Sequence, residues 1–351
     1  MTFVLGRDEG LDAGPAGELG RYRALDGSEG APLHVDLDGP HAAMIVGKRG
    51  YGKSYTMGVL AEALARATGV APVVVDPMGT FDTLAAESDG EPVPTSVVAE
   101  PAVAPDSLDP RSWCALLGLS PEQGAGGLVW QAAQAEATLD AMRDHVAATD
   151  APETDKRAAS NHLALADAWG VFDPDGLGAA ELGGSEITVV DVSGLDTAPM
   201  NAVVRGVGEA LYRARVDETI SRLPWLLVDE AHTFFEGVAE AALETILTRG
   251  RAPGVSLVLA TQRPSAVPEV GISQSDLLLS HRLTSHADLD ALATARPTYM
   301  TESLRERLPT APGEVVIVDD ATETVHAARI RERATPHGGG SPSASDLEPP
   351  D

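Results

Sequence analysis

Lysine is almost missing from this chain: Lys48, Lys53 and Lys156 are the only three among 25 basic residues. A single cysteine, Cys114, excludes an internal disulfide, and its place in RSWCALLG reads as a small core residue. No run approaches the ~18 consecutive apolar residues of a membrane-spanning helix. The start, MTFVLGRDEG, lacks the basic-then-apolar layout of a secretory signal, so no membrane association and a cytoplasmic location are expected. His41, His232, His281 and His286 have no metal-ligand spacing with the lone cysteine, which argues against a structural zinc site.

Acid, by contrast, is abundant: 53 Asp and Glu against 25 Lys and Arg, a formal net charge of −28. The acids are scattered rather than gathered in one tail, so they do not read as an interaction arm. Scattered acid, arginine over lysine and few aromatics match the style of salt-accumulating haloarchaeal proteins. In concentrated salt the Debye length shrinks to about 3 Å at 1 M. Net charge then describes the solvent and does not exclude nucleic acid, although counterion release contributes less as well.

The 351 residues, 43% hydrophobic, suffice for one large α/β domain or one with an inserted subdomain. Residues 1–40 are rich in Gly, Asp and Pro and predict a short N-terminal β segment. HAAMIVG (41–47) is a short apolar run, followed by a helical pattern that stops at Gly69. Residues 85–184 change character and predict a helical insertion. Within it, Ser120-Pro121-Glu122-Gln123 places an N-cap, a first-turn proline and a capping-box Gln in order. Strand patterns resume at EITVVDVSG, PWLLVDEAH, VSLVLATQRP, DLLLSHRL and GEVVIVDD. The expected core is therefore 41–84 plus 185–333, a mostly parallel sheet covered on both faces. Residues 334–351, rich in Gly, Ser and Pro, predict a disordered tail.

Two of the three lysines sit in one glycine-rich turn. Residues 47–54, GKRGYGKS, fit G-x-x-x-x-G-K-[ST], the Walker A pattern, in full. A chance match in a chain of this composition is on the order of 1 in 250. The turn also lies between an apolar strand and a helix, the context the motif needs. Glycines let the backbone wrap a polyphosphate, and the helix start adds its dipole. The expected nucleotide-binding residues are Gly47, Lys48, Arg49, Gly50, Tyr51, Gly52, Lys53, Ser54 and Tyr55. Lys53 would reach the β and γ phosphates of ATP, and Ser54 would ligate Mg²⁺. Lys48 reads equally as a phosphate contact or a solvated side chain.

WLLVDEAH supplies the Walker B complement: four apolar residues, then Asp229 and Glu230 at a strand's carboxyl end, where ligands of parallel sheets bind. Asp229 is the expected Mg²⁺ ligand and Glu230 the group that polarises the attacking water. Gln262, ending LVLATQ, is placed to sense the γ-phosphate or to cap a turn. Arg251 precedes that same strand, about 20 Å from its own phosphates at about 3.3 Å per residue. It reads as a finger for a neighbouring subunit or as a surface arginine. Arg282 lies on the turn's own side. Asp76 and Asp191 also end apolar strands, as ligands of water or Mg²⁺ or as turn caps.

PHAAMIVGKRGYGKSYTMGVLAEAL, VVVDPMGTF, WLLVDEAHTFF, LTRGRAPGVSLVLATQRPSAVP and QSDLLLSHRL together resemble the HerA/FtsK superfamily of DNA-translocating ATPases. Within it, the chain is most similar to HerA-like ATPases with a DUF87-type core. The resemblance implies an α/β RecA-like P-loop NTPase core with catalytic Glu230, a polar sensor at Gln262 and a trans arginine finger at Arg251. It also implies a hexameric ring, double-stranded DNA and a nuclease partner of the NurA type. Thr80 departs from the acidic residue many relatives carry after DPxG. The expected function is a Mg²⁺-dependent ATPase that moves or remodels duplex DNA. The alternative is an ATP-dependent switch or assembly scaffold without translocation. A two-lobed helicase is disfavoured, because residues 284–333 are too short for a second lobe.

Overall fold

A computed structural model describes residues 3–8, 10–24, 27–86, 92–294 and 307–338. The chain opens with β1 (Val4–Leu5), β2 (Ala16–Arg23), β3 (Glu29–Asp36) and β4 (Ala42–Val46). Helix α1 (Lys53–Arg66) leads to β5 (Val70–Asp76) and β6 (Thr95–Val98). Then come α2 (Pro110–Leu116), α3 (Gly124–Ala135), α4 (Leu139–Ala148), α5 (Glu153–Ala168) and α6 (Ala179–Leu182). The remainder alternates: β7 (Ile187–Asp191), α7 (Thr197–Val216), β8 (Leu223–Val228), α8 (Glu240–Arg249), β9 (Ser256–Thr261), α9 (Glu269–Ser273), β10 (Leu277–Ser280) and α10 (His286–Thr294). Strands β11 (Glu314–Asp319) and β12 (Thr324–Ile330) close it.

All twelve strands join one sheet, in the order β1-β3-β2-β12-β11-β10-β4-β9-β8-β5-β7-β6. From β10 to β6 every neighbouring pair is parallel. Strand β5 is buried at every position, as is β9, which is how continuous apolar runs behave between two helical layers. The pleat divides them by parity. Ile45 of β4 faces a core with Met57, Leu60 and Leu64 of α1, whereas Met44 and Val46 face Val204, Leu211 and Leu243 of α7 and α8. The observed architecture is thus the mostly parallel α/β sheet expected from the strand pattern.

Three features differ in detail from the sequence reading. The β2–β3 hairpin, expected as a separate short segment, is stitched through β12 into the same sheet. Strand β6, inside the stretch read as insertion, pairs with β7 and ends the sheet; its half-exposed TSVV lacks the apolar run that marks buried strands. Helix α3 starts at Gly124, four residues beyond the expected cap. Ser120 Oγ bonds the Glu122 carboxylate instead of a backbone N–H, and residues 120–123 form a turn closed by Gln123 N to Ser120 O at 3.3 Å. Helices α2–α5 gather around their own core of Trp113, Met142 and Leu163. Residues 334–338 pack on α1, and the rest of the expected tail, 339–351, lies outside the described residues. Among the described residues no helix is long and apolar enough to cross a membrane.

At the amino ends of the strands, a buried charge cluster pins the hairpin to the core. His41 Nδ1 contacts Asp276 at 2.9 Å and its Nε2 contacts Asp36 at 3.1 Å, while Arg7 meets Asp36 at 2.6 Å. Burial disfavours charge on His41, but hydrogen bonds to Asp276 and Asp36 outweigh it and push the pKa up to about 9. A folded-state pKa raised above the unfolded value of 6.5 gives stability that is complete below about 6.5 and lost as pH rises through about 9. The contribution is roughly 3 kcal/mol. Urea unfolding at pH 6 and pH 10 should show that loss, and His41→Gln should remove most of the difference. An identical pH response in the variant would assign the stability change to other groups.

Candidate functional site

The segments that follow the carboxyl ends of β4, β5 and β8 border one cavity of about 680 Å³, lined among others by Arg49, Lys53, Ser54, Tyr55, Met78, Thr80 and Glu230. Its floor is the glycine turn. Gly50 (φ 77°) and Gly52 (φ 113°) occupy the left-handed region that a side chain disfavours, so the turn can curl tightly before α1. Gly52 caps α1 without a side chain, which leaves first-turn N–H groups for an anion.

Behind the turn stands His281, just past the end of β10 and fully buried. A Cβ at Gly47 would lie 2.6 Å from the His281 Cβ, so glycine is required there by close approach. His281 Nδ1 donates to Glu314 O at 2.8 Å, which leaves Nε2 to accept from the Thr56 hydroxyl at 2.9 Å. Burial lowers its pKa to about 4, consistent with that neutral tautomer. The ring braces the turn from below.

Lys53 is only 6% exposed. Burial lowers its pKa, while Glu230 and Asp229 pull the other way. Ser54 Oγ donates to Asp229 Oδ2 at 2.7 Å, joining the turn to the end of β8. Burial raises the pKa of Asp229, partly offset by Ser54 and by the Glu230 N–H, which reaches Oδ1 at 2.9 Å. Glu230 adopts a left-handed backbone (φ 44°, ψ 42°), a conformation that costs a non-glycine residue of order 1 kcal/mol or more. Burial and then Asp229 raise its pKa, and Gln262 hydrogen-bonds its side chain. Its Oε2 is buried without a hydrogen bond, 3.4 Å from His232 Nδ1.

The structure therefore brings Lys53, Ser54, Asp229, Glu230 and Gln262 together. Lys48 lies with its ammonium 4.4 Å from the Tyr51 ring centroid, and Arg282 stacks there from 5.7 Å while donating to Thr310 O. Asp76 accepts from Met78 and Phe81 N–H groups, the turn-capping role; burial, tempered by those bonds, pushes its pKa up to about 6. Asp191 likewise accepts from Ser193 N. Arg251 is exposed in the turn before β9, at the end of that strand opposite Gln262.

Sequence reasoning missed several neighbours. Both weighed only as metal ligands, His281 braces the glycine turn, whereas His232 lies between Glu230 and Thr261, its Nδ1 3.4 Å from the first and 3.2 Å from the second. The position of His281 just after an apolar strand was the available signal. His337 and Gly338, in the expected tail, line the cavity, and no local pattern marks them.

The family model described as Helicase HerA, central domain (DUF87) matches residues 18–163. The DNA double-strand break repair helicase HerA of Pyrococcus furiosus is 23% identical, over 80% of this chain and 63% of that protein. The chain thus spans less than two thirds of that relative's length. VirB4 of Thermoanaerobacter pseudethanolicus shares the fold with a TM-score of 0.68 at 18% identity, covering 93% of this chain and 98% of that one. The bacterial conjugative coupling protein TrwBΔN70 does so with a TM-score of 0.57 at 14% identity, covering 90% of each. With its motif-bearing turn at the carboxyl edge of a parallel sheet, the chain is similar to the HerA central domain over residues 18–163 and shares the α/β fold of VirB4 and TrwBΔN70.

Proposed function

We propose that the chain is a Mg²⁺-dependent ATPase that hydrolyses ATP at the subunit interfaces of a ring to move or remodel double-stranded DNA. The observation that carries the ATPase reading is the Ser54–Asp229 contact, set beside buried Lys53 and the unpaired Oε2 of Glu230. Hard oxygens from one hydroxyl and one carboxylate suit Mg²⁺, which prefers few protein ligands plus phosphate and water. Ser54 and Asp229 would hold it, and bound there it supplies charge neutralisation on the phosphate oxygens.

Each protein group then has one task. The amides of the turn and the Lys53 ammonium bind the β and γ phosphates. Glu230 orients water and takes its proton as the new bond to the γ-phosphorus forms and the bond to the bridging oxygen breaks, giving ADP and phosphate. Gln262, held on Glu230, registers whether the γ-phosphate is present. Arg251 cannot serve its own site, since six strand residues at about 3.3 Å separate it by about 20 Å. It serves the neighbour's. The DNA substrate is supported by the resemblance to a protein named as a DNA double-strand break repair helicase.

Two measurements test these parts. ATP turnover with and without duplex DNA, alongside light-scattering mass, should show DNA stimulation of an oligomer. A DNA-indifferent oligomer would favour the switch or scaffold, and a DNA-indifferent monomer would end the motor reading. Mixing Arg251→Ala with Glu230→Gln should restore part of the activity that each lacks, through hybrid interfaces. Properly mixed rings that stay inactive would remove Arg251 from the trans role.

A further inference from the structure

The cavity has a wall that the phosphate motif does not explain. Besides the glycine turn, it is lined by Pro312, Gly313, His337 and Gly338. The last two belong to residues 331–338, which leave β12 and fold back along α1.

One carboxylate holds this segment. Glu62 of α1 is fully buried. Its Oε1 accepts from Thr335 N at 2.9 Å and from Thr335 Oγ1 at 2.8 Å. Its Oε2 accepts from Ala334 N at 3.0 Å and from Arg331 Nη1 at 2.8 Å. Arg333 lies flat over Gly58, where a Cβ would come within 2.8 Å of its Cζ. A buried carboxylate on a packed helix is costly unless paired, and here every pairing group comes from the returning segment. Burial opposes the charge, but those hydrogen bonds keep the Glu62 pKa below its ordinary value.

The segment then reaches the cavity. Arg333 N donates to the Tyr55 hydroxyl at 2.7 Å. The His337 ring meets Tyr55 edge-on at 5.3 Å and lies 3.3 Å from Arg333 Nη1 through its Nδ1. Gly338 is pressed against residues 80–83, where a Cβ would lie 3.0 Å from Thr83 Cγ2 and 3.2 Å from Thr80 O. Lys53, Ser54 and Glu230 form a charged end suited to phosphates. Tyr55 and His337 are the aromatic side chains in the remaining lining.

We propose that residues 331–338 are the base-side wall of the nucleotide site. His337 and Tyr55 stack on the base of the bound nucleotide, and Glu62 is the positioning residue that holds them there. This rests on the nucleotide-binding reading above. It adds a binding element whose residues lie more than 270 positions from the glycine turn.

The test compares ATP with inorganic tripolyphosphate, which carries the phosphates without the base, by titration calorimetry on the full chain. Base stacking on aromatic side chains is typically strong enough that His337→Ala should weaken ATP about tenfold. Glu62→Gln should do the same by releasing the segment. Both should leave tripolyphosphate affinity unchanged, so that the ratio of the two affinities falls about tenfold. His337 is exposed, so its replacement probes the wall even where Glu62→Gln disturbs folding. An unchanged ratio in His337→Ala, or parallel losses for both probes, would overturn the proposal. Wild-type protein that binds neither probe would instead overturn the nucleotide reading beneath it.

Discussion

Glu230→Gln should bind ATP as tightly as the wild type and turn it over about 100-fold to 10,000-fold more slowly, the usual contribution of a general base. The substitution keeps the size of the side chain and one carbonyl-type oxygen, so the Gln262 contact and the left-handed backbone at 230 have every reason to persist. What it removes is the proton acceptor. Burial and Asp229 already raise the pKa of Glu230, so the wild-type carboxylate is a stronger base than a solvated one. Single-turnover assays with saturating ATP separate this from a binding defect. Wild-type turnover in the variant would take Glu230 out of the chemistry.

Lys53→Ala should fail earlier, at binding. The ammonium is nearly enclosed, and loss of one partner in a buried charge pair typically costs about 2–5 kcal/mol, an affinity loss of roughly 30-fold or more. The variant carries a second penalty before nucleotide arrives. Asp229 and Glu230 would share the cavity without the cation that offsets them, so their protonation should become easier still. A fluorescent-nucleotide titration separates the two variants: Glu230→Gln saturates and Lys53→Ala does not. Undiminished affinity in Lys53→Ala would contradict the phosphate role.

The parts that were legible in the amino-acid order share a physical property. Residues 47–54 encode their conformation locally through glycine, and VVVD or WLLVD announces a buried parallel strand with its polar end at the ligand edge. Sequence-local rules of this kind point to Lys53, Ser54, Asp229 and Glu230 at one edge of the sheet. The Thr56–His281 brace spans 225 positions, the His41–Asp276 contact 235 and the Glu62–Thr335 tether 273. No periodicity or turn chemistry carries such pairings; only the closed sheet does. Strand β6 escaped notice because an edge strand needs fewer apolar residues than a central one. Ser120 misled because its hydroxyl had a nearer carboxylate partner in Glu122. Glycine and proline near the carboxyl end suggested disorder, yet Ala334 and Thr335 within that stretch supply hydrogen bonds to a buried charge.

Hydrogen exchange of the wild-type chain, with and without Mg²⁺ and a slowly hydrolysed ATP analogue, tests the central claim most directly. Amides of residues 49–56 and 229–230 should gain protection together, because a nucleotide bound between the glycine turn and the end of β8 touches both. Protection confined to other elements, such as α2–α5, or none at saturating nucleotide, would contradict the placement of the site.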